Sequence, residues 1–279
     1  MISQNKNEYI LSGSGGIYRR LAKYLILVLL PAIILNFTTT SMADHALNKT
    51  IPFQLEEKLT YKAKWEGTIP AGELSLEVLP KKTINGIEVY HFVMITKTNP
   101  TVDLIYKIRD RQDSYVDSSM NNSIFFKKKT EGKHLRDVSI NFNLEKHEAT
   151  YTNFGQKKAP INISPGTFDP LAFFYIIRFQ NLNENAVIYL PLTDGRRNIE
   201  VRAIVGKRDI IEIEGKTYNT IEITSNIKML DTLNKEVTKK SDYLHLKVWV
   251  TTDEKRIPVK IRSKTGIISF DFDLVSSTF

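Results

Sequence analysis

Cysteine is absent from all 279 residues. The chain therefore has no disulfide framework, no thiolate nucleophile, no cysteine-ligated metal and no lipobox for lipidating a mature N-terminus. Histidine is sparse as well. His45, His91, His134, His147 and His245 never fall at i, i+2 or i, i+4 and have no carboxylate at ligand spacing, so no metal site is expected. No Gly-x-Ser-x-Gly elbow and no phosphate-cradling glycine loop occurs, and nothing in the sequence requires a cofactor. Long apolar runs are also missing. Tyr24–Phe37 is only 14 residues long, is interrupted by Pro31 and Asn36, and falls short of the roughly 20 residues a spanning helix needs.

That short run has the form of an export signal. Arg19, Arg20 and Lys23 precede it, and Ser41 and Ala43 occupy the −3 and −1 positions of a signal-peptidase site before Asp44. Residues 1–43 are expected to be a signal peptide or signal anchor, with cleavage between Ala43 and Asp44 and the bulk of the chain translocated. An exported chain without disulfides or lipid suits a Gram-negative periplasm. Membrane contact is then expected only through the leader, if it stays uncleaved. Of the formal net charge of +8, +5 remains once Lys6, Glu8, Arg19, Arg20 and Lys23 are set aside. Such a surface favours anionic partners, such as lipid headgroups, and nucleic acid is not expected in that compartment.

After a lead-in at 44–56, period-2 alternation dominates. Leu59-x-Tyr61-x-Ala63-x-Trp65 and Leu74-x-Leu76-x-Val78 each present one apolar face, and Asn85-Gly86 is a strong hairpin signal. Ile87, Val89, His91, Val93 and Ile95 share one face of the next strand. Further strands are expected over 104–116, 123–130, 137–143, 148–154, 186–191, 199–205, 209–214, 218–225, 243–251, 257–263 and 266–275. The segment 228–241, rich in lysine, reads as a solvated loop. One stretch differs: Thr167 or Asp169 can cap a helix, Pro170 suits its first turn, and Leu171, Phe174, Tyr175 and Arg178 fall on one face. The expected fold is mostly β, a curved antiparallel sheet or partly open barrel wrapped around one buried helix at about 168–180. It forms a single domain over 57–279, in two halves joined near 159–167. Asp271 and Asp273 on the outward face of the last strand argue against a lipid-facing barrel.

The C-terminal block Leu246-Lys-Val248-Trp249-Val-Thr-Thr-Asp253-Glu-Lys-Arg256-Ile257-Pro258-Val reads as a hairpin with a polar turn. This block resembles the exported bacterial family catalogued as domain of unknown function 3108 (DUF3108). Leu59–Gly67 with Ala71-Gly72, and Asp169-Pro170-Leu171 with Phe174, Tyr175 and Arg178, are similar to its opening strand and its helix. The resemblance implies a mostly β, signal-bearing periplasmic protein without an established enzymatic activity. The long extension Met1–Tyr18 departs from many members and bears on the true start codon.

Three readings of function remain. The leading expectation is a non-enzymatic binding or envelope-maintenance protein that holds an apolar or amphipathic ligand in the concavity of the sheet. Tyr61, Trp65 and Trp249 are its candidate lining, and Arg178 and Arg256 its headgroup contacts. The alternatives are an envelope glycan hydrolase using Asp110 and Asp113, and a structural adaptor docking through a sheet edge. Asp110 and Asp113 are three positions apart, which in a regular strand sends them to opposite faces.

Overall fold

The computed structural model describes residues 51–132, 135–230 and 244–279. The expected leader and cleavage site, His45, His134 and most of the 228–241 segment lie outside the described residues. The first half holds β1 (Lys58–Trp65), β2 (Ile69–Ile84), β3 (Ile87–Thr98), helix α1 (Pro100–Tyr106), β4 (Ile108–Asp117), β5 (Ser123–Gly132), β6 (Arg136–Asn143), β7 (Glu148–Asn153), β8 (Gln156–Lys157) and β9 (Ile161–Asn162). After helix α2 (Phe173–Phe179) come β10 (Val187–Thr193), β11 (Asn198–Ile213), β12 (Lys216–Met229), β13 (Leu244–Thr251), β14 (Pro258–Thr265) and β15 (Ile268–Thr278).

All the strands belong to one antiparallel sheet, ordered β10-β11-β12-β13-β14-β15-β1-β2-β3-β4-β5-β6-β7-β8, with β9 paired to β7. The first strand lies beside the last, Lys58 opposite Thr278. The free edges therefore come from mid-chain, and the sheet does not close. Each edge carries a short addition. Phe168 bridges to Leu192 of β10, and β8 and β9 lie against β7. Where the edges approach each other, side chains join them: Asn198 Nδ2 donates to Asn162 O at 2.9 Å. Gly195, at φ +74°, leaves little room for a Cβ, which would stand 3.0 Å from the Ile140 side chain.

Helix α2 is shorter than the 168–180 expected. Phe168 is held in its bridge to β10, and Asp169 accepts hydrogen bonds from the amides of Leu171 and Ala172, so the chain turns before it winds. Burial raises the Asp169 carboxyl pKa; hydrogen bonds from the Ser114 and Ser123 hydroxyls, both 2.6 Å, act the other way. Phe173, Tyr175, Ile176, Ile177 and Arg178 of α2 are buried in one core with the inward faces of both halves of the sheet. The Tyr175 ring stacks on Phe92 at 3.8 Å between centroids, and Phe53 meets both rings edge-on.

Arg178 is 1% exposed. Its guanidinium donates to both carboxylate oxygens of Glu57, to Pro52 O, and to Lys255 O. It thereby joins the lead-in, α2 and the β13–β14 turn. That turn is organised by Asp253, which accepts from the amides of Lys255 and Arg256. Arg256 in turn donates to the carbonyls of Arg178 and Gln180 at the end of α2.

The strand expected to begin at residue 104 instead starts at Ile108, because α1 precedes it. Asn99 caps α1 by accepting from the Val102 amide, Pro100 opens it, and Asp103 sits in its first turn. β3 is buried on both faces. Tyr90, Phe92 and Met94 join the main core, while Val89, His91 and Val93 are buried on the opposite face.

Removing one partner of the Arg178–Glu57 pair strands a buried charge. Arg178→Met or Glu57→Leu alone is expected to cost about 3–5 kcal/mol in urea unfolding, and the double variant is expected to recover a large part of that loss. Gly195→Ala is expected to cost roughly 1–3 kcal/mol by crowding Ile140 and straining a left-handed residue.

Candidate functional site

A cleft of about 360 Å³ opens where the two edges of the sheet meet, lined by Arg136, Tyr151, Asn153, Gln156, Lys157, Lys158 and Arg196. Local turns place these side chains. Phe154 and Gly155, both at positive φ, make the two-residue turn that returns Gln156–Lys158 beside β7. The Lys158 amide donates to Tyr151 O, extending the hairpin. From the other edge, Asp194 Oδ1 accepts from the amides of Arg196 and Arg197, both at 2.8 Å, and so fixes the β10–β11 turn that carries Arg196.

The cleft is strongly cationic. Arg196 Cζ lies 5.4 Å from the Tyr151 ring centroid and Lys158 Nζ lies 6.0 Å from it. Arg196 has a loose ion pair with Asp194 at 3.4 Å. Among the described residues, Arg136, Lys157 and Lys158 have no ion pair, and no carboxylate lines the cleft. Four cations and two amides around a tyrosine can bind an anion with several oxygens. They include no nucleophile–base pair.

A second polar cluster lies on the face of β3 away from the main core. His91 Nε2 and Asp113 Oδ1 are 2.8 Å apart, Arg111 donates to both Asp113 oxygens, and the Tyr115 ring stacks on His91 at 4.4 Å. Burial works to raise the Asp113 carboxyl, but hydrogen bonds from His91 and Arg111 outweigh it and hold the pKa at about 2. Asp110 is instead paired with Lys128 at 2.9 Å. Successive ladder positions send Asp110 and Asp113 to opposite faces, so the two carboxylates do not flank a common site. Among the described residues no three of His, Asp and Glu converge as metal ligands, and no helix is long and apolar enough to cross a membrane.

The five residues singled out from sequence lie elsewhere than in the cleft. Tyr61 is buried and donates to Pro258 O, Arg178 holds Glu57, and Arg256 caps α2, so these three gather around the β13–β14 turn. Trp65 stands partly exposed at the end of β1. Trp249 alternates with the core residues Val248 and Val250, near Lys247. The cleft residues carried one sequence signal, two basic dipeptides (Lys157-Lys158 and Arg196-Arg197) each just after a glycine turn. Their convergence depends on the meeting of the sheet edges.

The family described as protein of unknown function (DUF3108) matches this chain over residues 60–275. Among curated proteins, no sequence matches it. Among solved structures it is similar to a beta-barrel-like protein of domain of unknown function DUF1849 from Brucella abortus, at 12% identity and a TM-score of 0.53, covering 81% of this chain and 98% of that one. Weaker likenesses are to a protein with a YmcC-like fold from Bacteroides fragilis (6% identity, TM-score 0.37, 82% and 98% covered) and to one from Parabacteroides distasonis (11%, 0.38, 83% and 100%).

The depressed Asp113 pKa has a pH signature. Its contribution to stability is present above the ordinary carboxylate value and is lost as pH falls through about 2. Asp113→Asn is expected to remove on the order of 2 kcal/mol at neutral pH and to flatten the decline of stability between about pH 4 and pH 2, read by urea unfolding across that range.

Proposed function

The chain belongs to the DUF3108 family, and from that footing we propose that it is a non-enzymatic protein of the Gram-negative envelope that binds the anionic headgroup of an amphipathic component at the seam of its sheet. The leader supports the address: residues 1–43 act as a signal peptide, cut between Ala43 and Asp44, and release the β domain into the periplasm. The cationic cleft carries the binding reading. Arg136, Lys157, Lys158 and Arg196 converge from both edges of the sheet without a carboxylate among them. Arg178 and Arg256, the other candidates for headgroup contact, spend their hydrogen bonds on Glu57 and on backbone carbonyls.

Phosphate is the matching chemistry. Its oxygens accept several charge-assisted bonds at once, and an arginine fork can engage two of them. The buried Tyr151 ring backs the cleft, and Arg196 and Lys158 lie over it, which holds both cations toward the opening. Cofactors and metals have no place in this reading.

Calorimetric titration with short-chain phosphatidylglycerol and with inorganic phosphate tests it, the two arms separating a lipid headgroup from a free anion. Arg136→Ala and Lys157→Ala are each expected to weaken binding roughly tenfold, the worth of one charge-assisted hydrogen bond, and added salt should weaken it further. Affinity that is unchanged in the Arg136→Ala/Lys157→Ala double variant would sink the proposal.

A further inference from the structure

The two ends of the sheet differ in the chemistry of their turns. Alternating strand directions put the β14–β15 and β1–β2 turns, α1, and the β5–β6 and β7–β8 turns at one end, in consecutive order around the ladder. Each carries a bare apolar side chain. Ile267 is 92% exposed, Leu104 88%, Leu135 65%, Ile105 60% and Phe154 57%, with Trp65 and Ile69 beside them. At the other end the tips read Asn85-Gly86, Ser118-Ser119, Glu145-Lys146 and Asp253-Glu254, while Glu214 of the long β11–β12 hairpin pairs with Lys62 and Lys64 of β1. The exposed apolar residues there, Ile51, Leu55, Ile87 and Phe279, are all less bare. Ile210 and Tyr189, the comparable residues elsewhere, lie along strand shafts.

These tips are held out by the fold. α1 buries none of its residues, yet it is tied down at its base. The Asn99 side chain donates to Pro70 O, and Arg109 pairs with Asp103. Gly132, at φ +134°, lets β5 pass so close that a Cβ would stand 2.3 Å from Lys107 O. A helix anchored through polar groups with its leucine and isoleucine in water lacks an apolar surface to cover them.

The charge at this end is complementary to an anionic surface. Glu73, Asp103, Glu131 and Asp194 are matched by Lys97, Arg109, Lys129 and Arg196. Among the described residues, Lys107, Arg136, Lys157, Lys158 and Lys264 then have no ion pair, against the two carboxylates Glu66 and Asp137. We infer that this rim is a membrane-docking face, whose apolar tips enter an anionic phospholipid bilayer while the surrounding cations meet its phosphates. Apolar tips on five separate turns, set among unpaired cations, suit the headgroup region of an anionic bilayer. This contact is additional to any made by the leader; it shares Arg136, Lys157 and Lys158 with the cleft, which could hold a soluble anion with the apolar tips idle.

The cysteine-free chain makes the test direct. Leu104→Cys, Leu135→Cys and Ile267→Cys in the full chain, and Ser118→Cys and Glu254→Cys at the opposite end, each give one labelling site for an environment-sensitive fluorophore. With vesicles of phosphatidylethanolamine and phosphatidylglycerol, the three rim labels are expected to shift to an apolar environment while the two opposite labels stay aqueous, whatever the leader does. Leu104→Asp with Ile267→Asp should raise the vesicle concentration for a half-maximal shift at position 135 roughly tenfold. Rim labels that remain as aqueous as those at 118 and 254 would overturn the inference. So would rim labels that leave water without vesicles as protein concentration rises, which would assign the face to a second copy of the chain. Failure of the cleft reading would appear separately, as short-chain phosphatidylglycerol binding that survives loss of Arg136 and Lys157.

Discussion

An antiparallel ladder that brings its first and last strands together must find its two free edges in the middle of the chain. That constraint shapes the rest of this molecule. β1 lies beside β15, so β10 and the β7–β9 group become the edges, and the segment between them has to cross the gap. The crossing segment carries Phe168, Asp169 and α2, which cover one edge and fill the core beneath both halves. Full closure of the barrel would have paired the edges and removed the gap. Side-chain joins at Asn198–Asn162 and Gly195–Ile140 leave a seam instead, and the cationic cleft opens there.

The motifs that tie this chain to its family are explained by the same architecture. The Asp-Pro-Leu block places a carboxylate where two serine hydroxyls and two amides need an acceptor, and the later Arg178 reaches Glu57 across the core. The Asp253–Arg256 turn satisfies the end of α2. Buried polar groups of this kind are costly to disturb once one partner is gone. A motif built on them marks a fold, and it is silent about a ligand. The residues that form the cleft lie outside those blocks, and of the rim only Trp65, Glu66 and Ile69 fall in the opening-strand block.

Much of the sheet was legible in the sequence because alternation and turn residues are local signals. Most of the expected strands, the hairpin at Asn85-Gly86 and the opposite faces of Asp110 and Asp113 could be read that way. The bounds of α2 were not, because the bridge between Phe168 and Leu192 is a long-range contact that overrides a local capping pattern. α1 did carry a signal, Asn99-Pro100 with Asp103, but it was hidden by the apolar run through Leu104 and Ile105. Tyr61, Arg178 and Arg256 stood out as aromatic and cationic residues near family motifs. Whether such groups face ligand or protein is decided by partners far away in sequence, Glu57 and Pro258 among them. The cleft was least visible of all, since it exists only where non-neighbouring strands approach.

The pairing of Lys58 with Thr278 also sets a timetable. A chain that emerges N-terminus first, from a ribosome or through a translocation channel, presents β1 long before β15 exists. Until the last residues arrive, β1 can pair only with β2, and its other side is an open edge that any neighbouring chain could extend. Contacts spanning nearly the whole domain make for slow completion. The half-built sheet is therefore the form in which this protein is most exposed to aggregation, and the one for which a chaperone would matter most.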